Sequence, residues 1–226
     1  MAQVYTVHPD SPQSRTIDQI RDALRSGAVM LYPTDTVYAI GCDLYSKSAV
    51  QRVRQIKQHA NDKPLTFLCP SLSDIAKYAY VSDDAYRLMR RLIPGPLTFI
   101  LPATKLVPKL VLSPKRKTTG IRVPDHTVAQ ALLKALDNPV ISTSAAIFGS
   151  QENQSQRKKN QSKENRIKVP ITVAELFDAF EKVVDIMVDN GQPPSERVST
   201  VLDLCGEPVQ VLRQGLGWET VAPLLD

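Results

Sequence analysis

The chain has 226 residues, 42% of them hydrophobic and 23% charged, with a formal net charge of +5. A chain of that size buries a full core without a metal or disulfide staple, and that balance excludes wholesale disorder, collagen and coiled coil. The longest uncharged apolar stretch, residues 92–104, is interrupted by Pro94, Pro96 and Pro102 and is too short to span a bilayer.

Most of the net charge comes from one segment. Between residues 151 and 168, Arg157, Lys158, Lys159, Lys163, Arg166 and Lys168 stand against Glu152 and Glu164. The segment is polar, low in complexity and free of apolar anchors. It reads as a basic flexible surface loop at about 150–168 within a single domain covering 1–226. The first residues carry no basic stretch followed by an apolar one, so no signal peptide is expected. Cys42, Cys69 and Cys205 are far apart and form no CxxC. The expectation is a reduced, cytoplasmic protein with ordinary buried thiols, no membrane partner and no resident metal. Neither phosphate-loop signature, GxxxxGK[ST] or GxGxxG, is present, and HExxH and GxSxG are missing too.

In chain order, Thr16 to Gln19 reads as a capping box opening a helix, with Ile17, Ile20 and Leu24 on one face and Gly27 at the stop. Residues 28–32 read as a buried strand. Residues 48–58 read as a helix with Ala49, Val53 and Ile56 inward, and 65–69 as a strand. Ser82 caps a helix that carries Asp83 and Asp84 in its first turn and ends at Pro94-Gly95-Pro96. Strands follow at 97–103 and 120–123, then a helix at 127–136 with His126 as a packing or cap residue. A strand follows at 139–142. Thr172 and Glu175 form a second capping box. A strand is predicted at 184–188, and 200–204 pairs with 209–213 as a hairpin. This alternation predicts an α/β (α+β) domain with a mixed sheet covered by helices.

The string Tyr32-Pro33-Thr34-Asp35-Thr36-Val37-Tyr38-Ala39-Ile40-Gly41 resembles the opening signature of the YrdC/YciO family, which includes threonylcarbamoyl-AMP synthases. Further matches follow in family order: Lys57, Pro64-Leu65, Pro94 to Thr98, Ile121 to His126, Ser142 to Ala145, Ser199 to Asp203, and Leu212 to Gly215. His8-Pro9-Asp10 and Lys115-Arg116-Lys117-Thr118 resemble the YciO branch in particular. The resemblance implies a three-layer YrdC-like fold, a twisted mixed sheet with flanking helices and a concave cavity. It also implies a reaction joining L-threonine, bicarbonate and ATP into threonylcarbamoyl-AMP and pyrophosphate, with Mg2+ on the phosphates, in the service of tRNA modification.

That chemistry needs no protein nucleophile. It needs side chains that hold two anions together and neutralise charge growing on phosphate. By resemblance, Thr36, Arg122, Ser142 and Ser199 are substrate-binding residues, and a guanidinium fork at Arg122 suits a carboxylate. By the same resemblance, Lys57, Thr118, Ser144 and Arg213 are nucleotide-binding residues. No residue is assigned as catalytic in its own right.

The synthases carry a Lys-x-Arg pair and a Ser-x-Asn motif. This chain has Lys57-Gln58-His59 and Ser144-Ala145-Ala146 instead. Histidine is a poor replacement for a permanently charged guanidinium, and alanine offers the nucleotide no hydrogen bond. Two function classes follow. One is a synthase with weakened nucleotide contacts. The other is a non-catalytic YciO-type protein that binds a nucleotide or double-stranded RNA. The basic segment carries no Phe, Tyr or Trp for base stacking, so an RNA partner would be read by shape and phosphate contact, as in duplex RNA or tRNA.

Overall fold

The computed structural model describes residues 1–58, 65–112, 117–145 and 172–225, with the side chains of Lys57 and Gln58 outside that set. Ten strands form one mixed sheet in the order β1-β8-β2-β3-β7-β4-β6-β5-β9-β10. They are β1 (Gln3–Thr6), β2 (Val29–Tyr32), β3 (Ala39–Asp43), β4 (Thr66–Leu68), β5 (Leu97–Pro102), β6 (Thr118–Arg122), β7 (Val140–Ser144), β8 (Ile186–Asp189), β9 (Thr200–Asp203) and β10 (Gln210–Arg213). Pairing is parallel for β1/β8, β8/β2, β4/β6 and β5/β9, and antiparallel for the rest.

Helices cover both faces, giving three layers. On one face lie α1 (Ser14–Arg25) and α5 (Thr127–Leu136), whose Ile17, Ile20, Leu24, Val128, Leu132 and Leu136 pack on Met30, Tyr32, Leu68, Val140, Ile186 and Val188. On the other lie α2 (Lys47–Gln58), α3 (Leu72–Tyr78), α4 (Asp83–Leu92), α6 (Val173–Phe180) and the short α7 (Trp218–Val221). Their Val53, Ile75, Met89 and Phe180 pack on Leu31, Ile40, Phe67, Phe99, Ile121 and Leu202. Strands β2, β3 and β6 are buried along their whole length, so none shows the inside-outside alternation of a half-exposed strand, and β2 is an unbroken apolar run.

The helix starts follow local chemistry. Ser82 accepts from the Ala85 amide, and Thr172 and Glu175 form the expected reciprocal box. The start of α1 corrects the sequence reading. The Ile17 amide donates to the Gln13 carbonyl at 3.0 Å, so Thr16 already lies inside the helix and the Thr16–Gln19 box is not its cap. Cys205 is a second correction. Cys42 and Cys69 are buried, and burial pushes the Cys42 thiol up to about 12, but Cys205 is exposed in the β9–β10 turn.

Asp185 ties three segments together. It accepts from the Val29 amide at 2.7 Å and takes both Nη atoms of Arg52, at 2.6 and 3.1 Å. Burial raises its pKa, but the Arg52 and Val29 bonds outweigh that and hold the carboxyl below the usual range. The pair is partly exposed, so its contribution is modest. Asp185→Ala is expected to cost about 1–2 kcal/mol in urea unfolding at neutral pH. Because the folded pKa is depressed, this contribution is present above about pH 4 and is lost as pH falls through the folded value. The wild type and Asp185→Ala curves therefore converge in acid.

Candidate active site

Alternate residues of a strand share a face, and the strand register sorts this face into two halves. Helices α1 and α5 cover the half built on β8, β2, β3 and the start of β7. The other half, on β7, β4, β6 and β5, presents Ser142, Ser144, Thr66, Thr118, Gly120, Arg122 and Thr98, placed side by side by the pairings Ser142–Thr66–Gly120 and Pro102–Thr118. The sequence pattern changes along one sheet from Val, Met and Leu to Ser, Thr and Arg. Such a run of hydroxyls, with Ser142, Thr118, Thr98 and Arg122 buried, is a polar cluster within the sheet layer.

The loop between β2 and β3 closes over this polar half. The Thr34 hydroxyl donates to the Val37 carbonyl at 2.9 Å and accepts from the Thr36 amide at 3.1 Å. This local turn explains the clustered Pro-Thr-Asp-Thr, since threonine hydroxyls bond nearby backbone. It presents Asp35 and Thr36 to Arg122, at the end of β6. Arg122 donates from Nη1 to the Thr36 hydroxyl at 2.8 Å and from Nη2 to Asp35 Oδ1. The Arg122 and Asp35 side chains are only 8% and 10% exposed. Asp35 Oδ2 and Arg122 Nε are buried without a hydrogen-bond partner. Burial lowers the Arg122 pKa, and the charge of Asp35 opposes that.

A second guanidinium enters from the sheet edge. Arg213 of β10 donates to the Ser199 carbonyl from Nε at 2.8 Å and to the Ser199 hydroxyl from Nη2 at 2.9 Å. The Ser199 hydroxyl also meets the Thr98 hydroxyl at 2.9 Å. Burial, then repulsion from Arg122, lowers the Arg213 pKa. Arg122 is buried and paired with Asp35, and Arg213, partly buried, is close enough to feel its charge.

Ser142 is deeper than the sequence suggests. It lies within β7, not at a strand end, and accepts from the Tyr32 hydroxyl at 2.8 Å. Thr36 and Arg122 thus form one bonded pair and Ser199 and Arg213 another, with Ser199 tied to the polar half through Thr98 and Ser142 held by Tyr32. Thr118 and Ser144 share their sheet face by register. Lys57 sits at the end of α2 with its side chain outside the described residues. His59, Lys63, Lys115, Arg116, Ala146 and the basic segment 150–168 also lie outside them. Asp35 was quoted in the sequence signature without a role. The local signal is a carboxylate between two threonines; its pairing with Arg122 is visible only in the structure. A separate cavity of about 270 Å³ between α3 and α5 is lined by Asp74, Lys77, Lys134 and Asp137, and holds none of the predicted site residues.

His126 anchors the rim. Its Nδ1 accepts from the Ala129 amide at 3.3 Å and caps α5, and its Nε2 lies 3.3 Å from the Asn190 side-chain nitrogen. Burial lowers its pKa, with Arg122 acting the same way and Asp35 and Asp125 opposing. An imidazolium could not accept at Nδ1. Stability held by this cap is present above about pH 6.5 and is lost as pH falls below it toward the depressed folded value. His126→Asn, which caps without titrating, is expected to flatten the pH dependence of the melting temperature between pH 5 and pH 7. An unchanged slope would contradict this role.

A hydroxyl-lined half-sheet beside a Thr-Asp-Thr loop and two arginines, on a mixed sheet with helices on both faces, is the arrangement to compare with known proteins. The sequence profile designated Sua5_yciO_yrdC, described as "Telomere recombination", matches residues 22–215, and the chain belongs to the Sua5/YciO/YrdC family. The YciO protein of Escherichia coli K12 is 39% identical over 217 residues, 96% of this chain and 97% of that one. The crystal structure of E. coli YciO superposes with a TM-score of 0.81 over 96% of this chain and 97% of that chain. Pyrococcus abyssi Sua5, crystallised with L-threonine, gives a TM-score of 0.77 at 25% identity, covering 94% of this chain and 57% of that one. A threonylcarbamoyl-AMP synthase of P. abyssi is 28% identical over 193 residues, 85% of this chain and 52% of that one.

Proposed function

We propose that this protein is a threonylcarbamoyl-AMP synthase of reduced rate, converting L-threonine, bicarbonate and ATP to threonylcarbamoyl-AMP and pyrophosphate. The observation that carries the reading is the convergence of Thr36, Arg122, Ser199 and Arg213, four residues from separate segments, on one polar half of the sheet. Threonine's amine captures carbon dioxide as a carbamate, whose oxygen attacks the α-phosphate as pyrophosphate leaves. Arg122 and Thr36 would hold the amino acid. Arg213, Ser144, Thr118 and Lys57 would face the nucleotide. Among the described residues no group of three His, Cys, Asp or Glu side chains could hold a metal. The Asp35 carboxylate is bonded to Arg122. Mg2+, where the reaction uses it, would enter with ATP, on its phosphates. Among the described residues no helix is long and apolar enough to cross a membrane.

The rate is expected to be low because two nucleotide-side groups are replaced. Each charge-assisted contact contributes about 1.5–3 kcal/mol, so the pair accounts for about 10² to 10⁴ in turnover. The test is pyrophosphate release that depends on threonine and bicarbonate, wild type beside His59→Arg/Ala146→Asn. The double substitution is expected to raise the rate by about 10² or more. A wild type as fast as an intact-motif synthase contradicts the weakened site. Two inactive proteins that bind no ATP would leave the nucleotide-free, duplex-RNA-binding reading in its place.

A further inference from the structure

The Asp35–Arg122 pair closes the site against most ligands. Both side chains are buried, and each uses one end on the other. A ligand that reaches Arg122 as a simple carboxylate takes the guanidinium and leaves Asp35 buried, uncompensated and beside a new negative charge. A ligand that reaches Asp35 as a simple amine leaves Arg122 unpaired with Arg213 repelling it. An uncompensated buried charge is strongly disfavoured. A zwitterion avoids both outcomes, because its carboxylate replaces Asp35 at Arg122 while its ammonium replaces Arg122 at Asp35.

The two orphaned atoms fit that exchange. Asp35 Oδ2 is an acceptor and Arg122 Nε is a donor, and both are buried without partners. An ammonium supplies the missing donor and a carboxylate the missing acceptor. In an α-amino acid both groups hang on one carbon, so one small ligand reaches both members of a contacting pair. The Thr34 turn fixes the loop that carries Asp35, and Thr36 holds the second Nη of Arg122. The exchange therefore needs only the two charged side chains to part.

We infer that Asp35 is the specificity-determining residue of this site: paired with Arg122, it admits free α-amino acids and rejects the corresponding hydroxy acids and amino alcohols. The inference rests on the reading of the site as an amino-acid site.

The experiment is isothermal titration of the full chain with three probes: L-threonine, its 2-hydroxy analogue (2S,3R)-2,3-dihydroxybutyrate, and L-threoninol. Wild type is expected to bind L-threonine at least about tenfold more tightly than either analogue. Asp35→Asn keeps the shape and removes the charge. It is expected to weaken L-threonine by about tenfold and to strengthen dihydroxybutyrate by a similar factor, narrowing or inverting the order. Equal binding of threonine and dihydroxybutyrate by wild type overturns the inference. So does an Asp35→Asn protein that keeps the wild-type preference. Circular dichroism checks that the variant is folded. If it is not, the wild-type order and Asp35→Glu, expected to retain the preference, decide the matter. The twenty amino acids extend the panel. Binding of another amino acid but not its hydroxy acid would remove threonine as substrate while sustaining the role of Asp35. Binding of none removes both.

Discussion

Arg122→Ala is expected to lower the free energy of unfolding by about 3–5 kcal/mol, the largest single loss among the polar positions. The reason is the partner it strands. Asp35 is 10% exposed and its one described ion-pair partner is Arg122, so removal of the guanidinium leaves a carboxylate in a poorly solvated place. Thr36 also loses the donor to its hydroxyl. The companion test is the double replacement Asp35→Asn/Arg122→Met, which removes both charges. It should recover most of the loss, since replacing a buried pair by neutral groups is often close to neutral. Urea midpoints for the two singles and the double give the coupling directly. A loss under about 1 kcal/mol for Arg122→Ala would mean that water reaches the pair and that it contributes as a surface bridge does.

Gly215→Ala is expected to be nearly as damaging, by about 3 kcal/mol, and to reach the site as well. A Cβ at Gly215 would sit 2.3 Å from the Val198 carbonyl oxygen and 2.6 Å from the Ser199 carbonyl carbon. These are backbone atoms, so no rotamer change relieves the clash. The Gly215 amide donates to the Thr200 hydroxyl at 2.9 Å, and Leu216 bridges to Ser199. The displaced segment is the one that carries Ser199, the anchor of Arg213. Melting temperature and pyrophosphate release should therefore fall together. Gly206→Ala is the control, because a Cβ there meets nothing within 4 Å. Equal melting temperatures for the two variants would contradict the packing argument.

Much of the fold was legible in the sequence where local chemistry decides it. Ser82 and the Thr172–Glu175 box fixed two helix starts, the apolar spacing of Ile17, Ile20 and Leu24 fixed the buried face of α1, and Cys205-Gly206-Glu207-Pro208 marked the β9–β10 hairpin. What was missed lacks a local signal. Strand β3 carries Gly41, whose missing side chain lets Tyr32 and Val140 close in at 2.9 and 2.7 Å of a would-be Cβ. That preference comes from packing between strands. Strand β1 is a short parallel edge whose residues stay largely exposed, and α3 spans only Leu72–Tyr78. The site was legible as a set of motifs, because the family resemblance spans them. Their links were not. That Arg122 meets Asp35, 87 positions away, depends on bringing β6 beside the β2–β3 loop; that Arg213 rests on Ser199 follows from the hairpin, but its side-chain register does not show in the strand pattern.

In the proposed reaction this site joins a carbon dioxide unit to an amino acid, and the carbamate oxygen displaces pyrophosphate from the α-phosphate of ATP. The most direct measurement is mass spectrometry of the reaction with 13C-bicarbonate, L-threonine and ATP, for wild type and Arg213→Ala. Threonylcarbamoyl-AMP carrying the heavy carbon is expected, dependent on all three substrates, with a strongly reduced yield from Arg213→Ala. A labelled product formed equally by the two proteins, or no labelled product from either wild type or His59→Arg/Ala146→Asn, would contradict it.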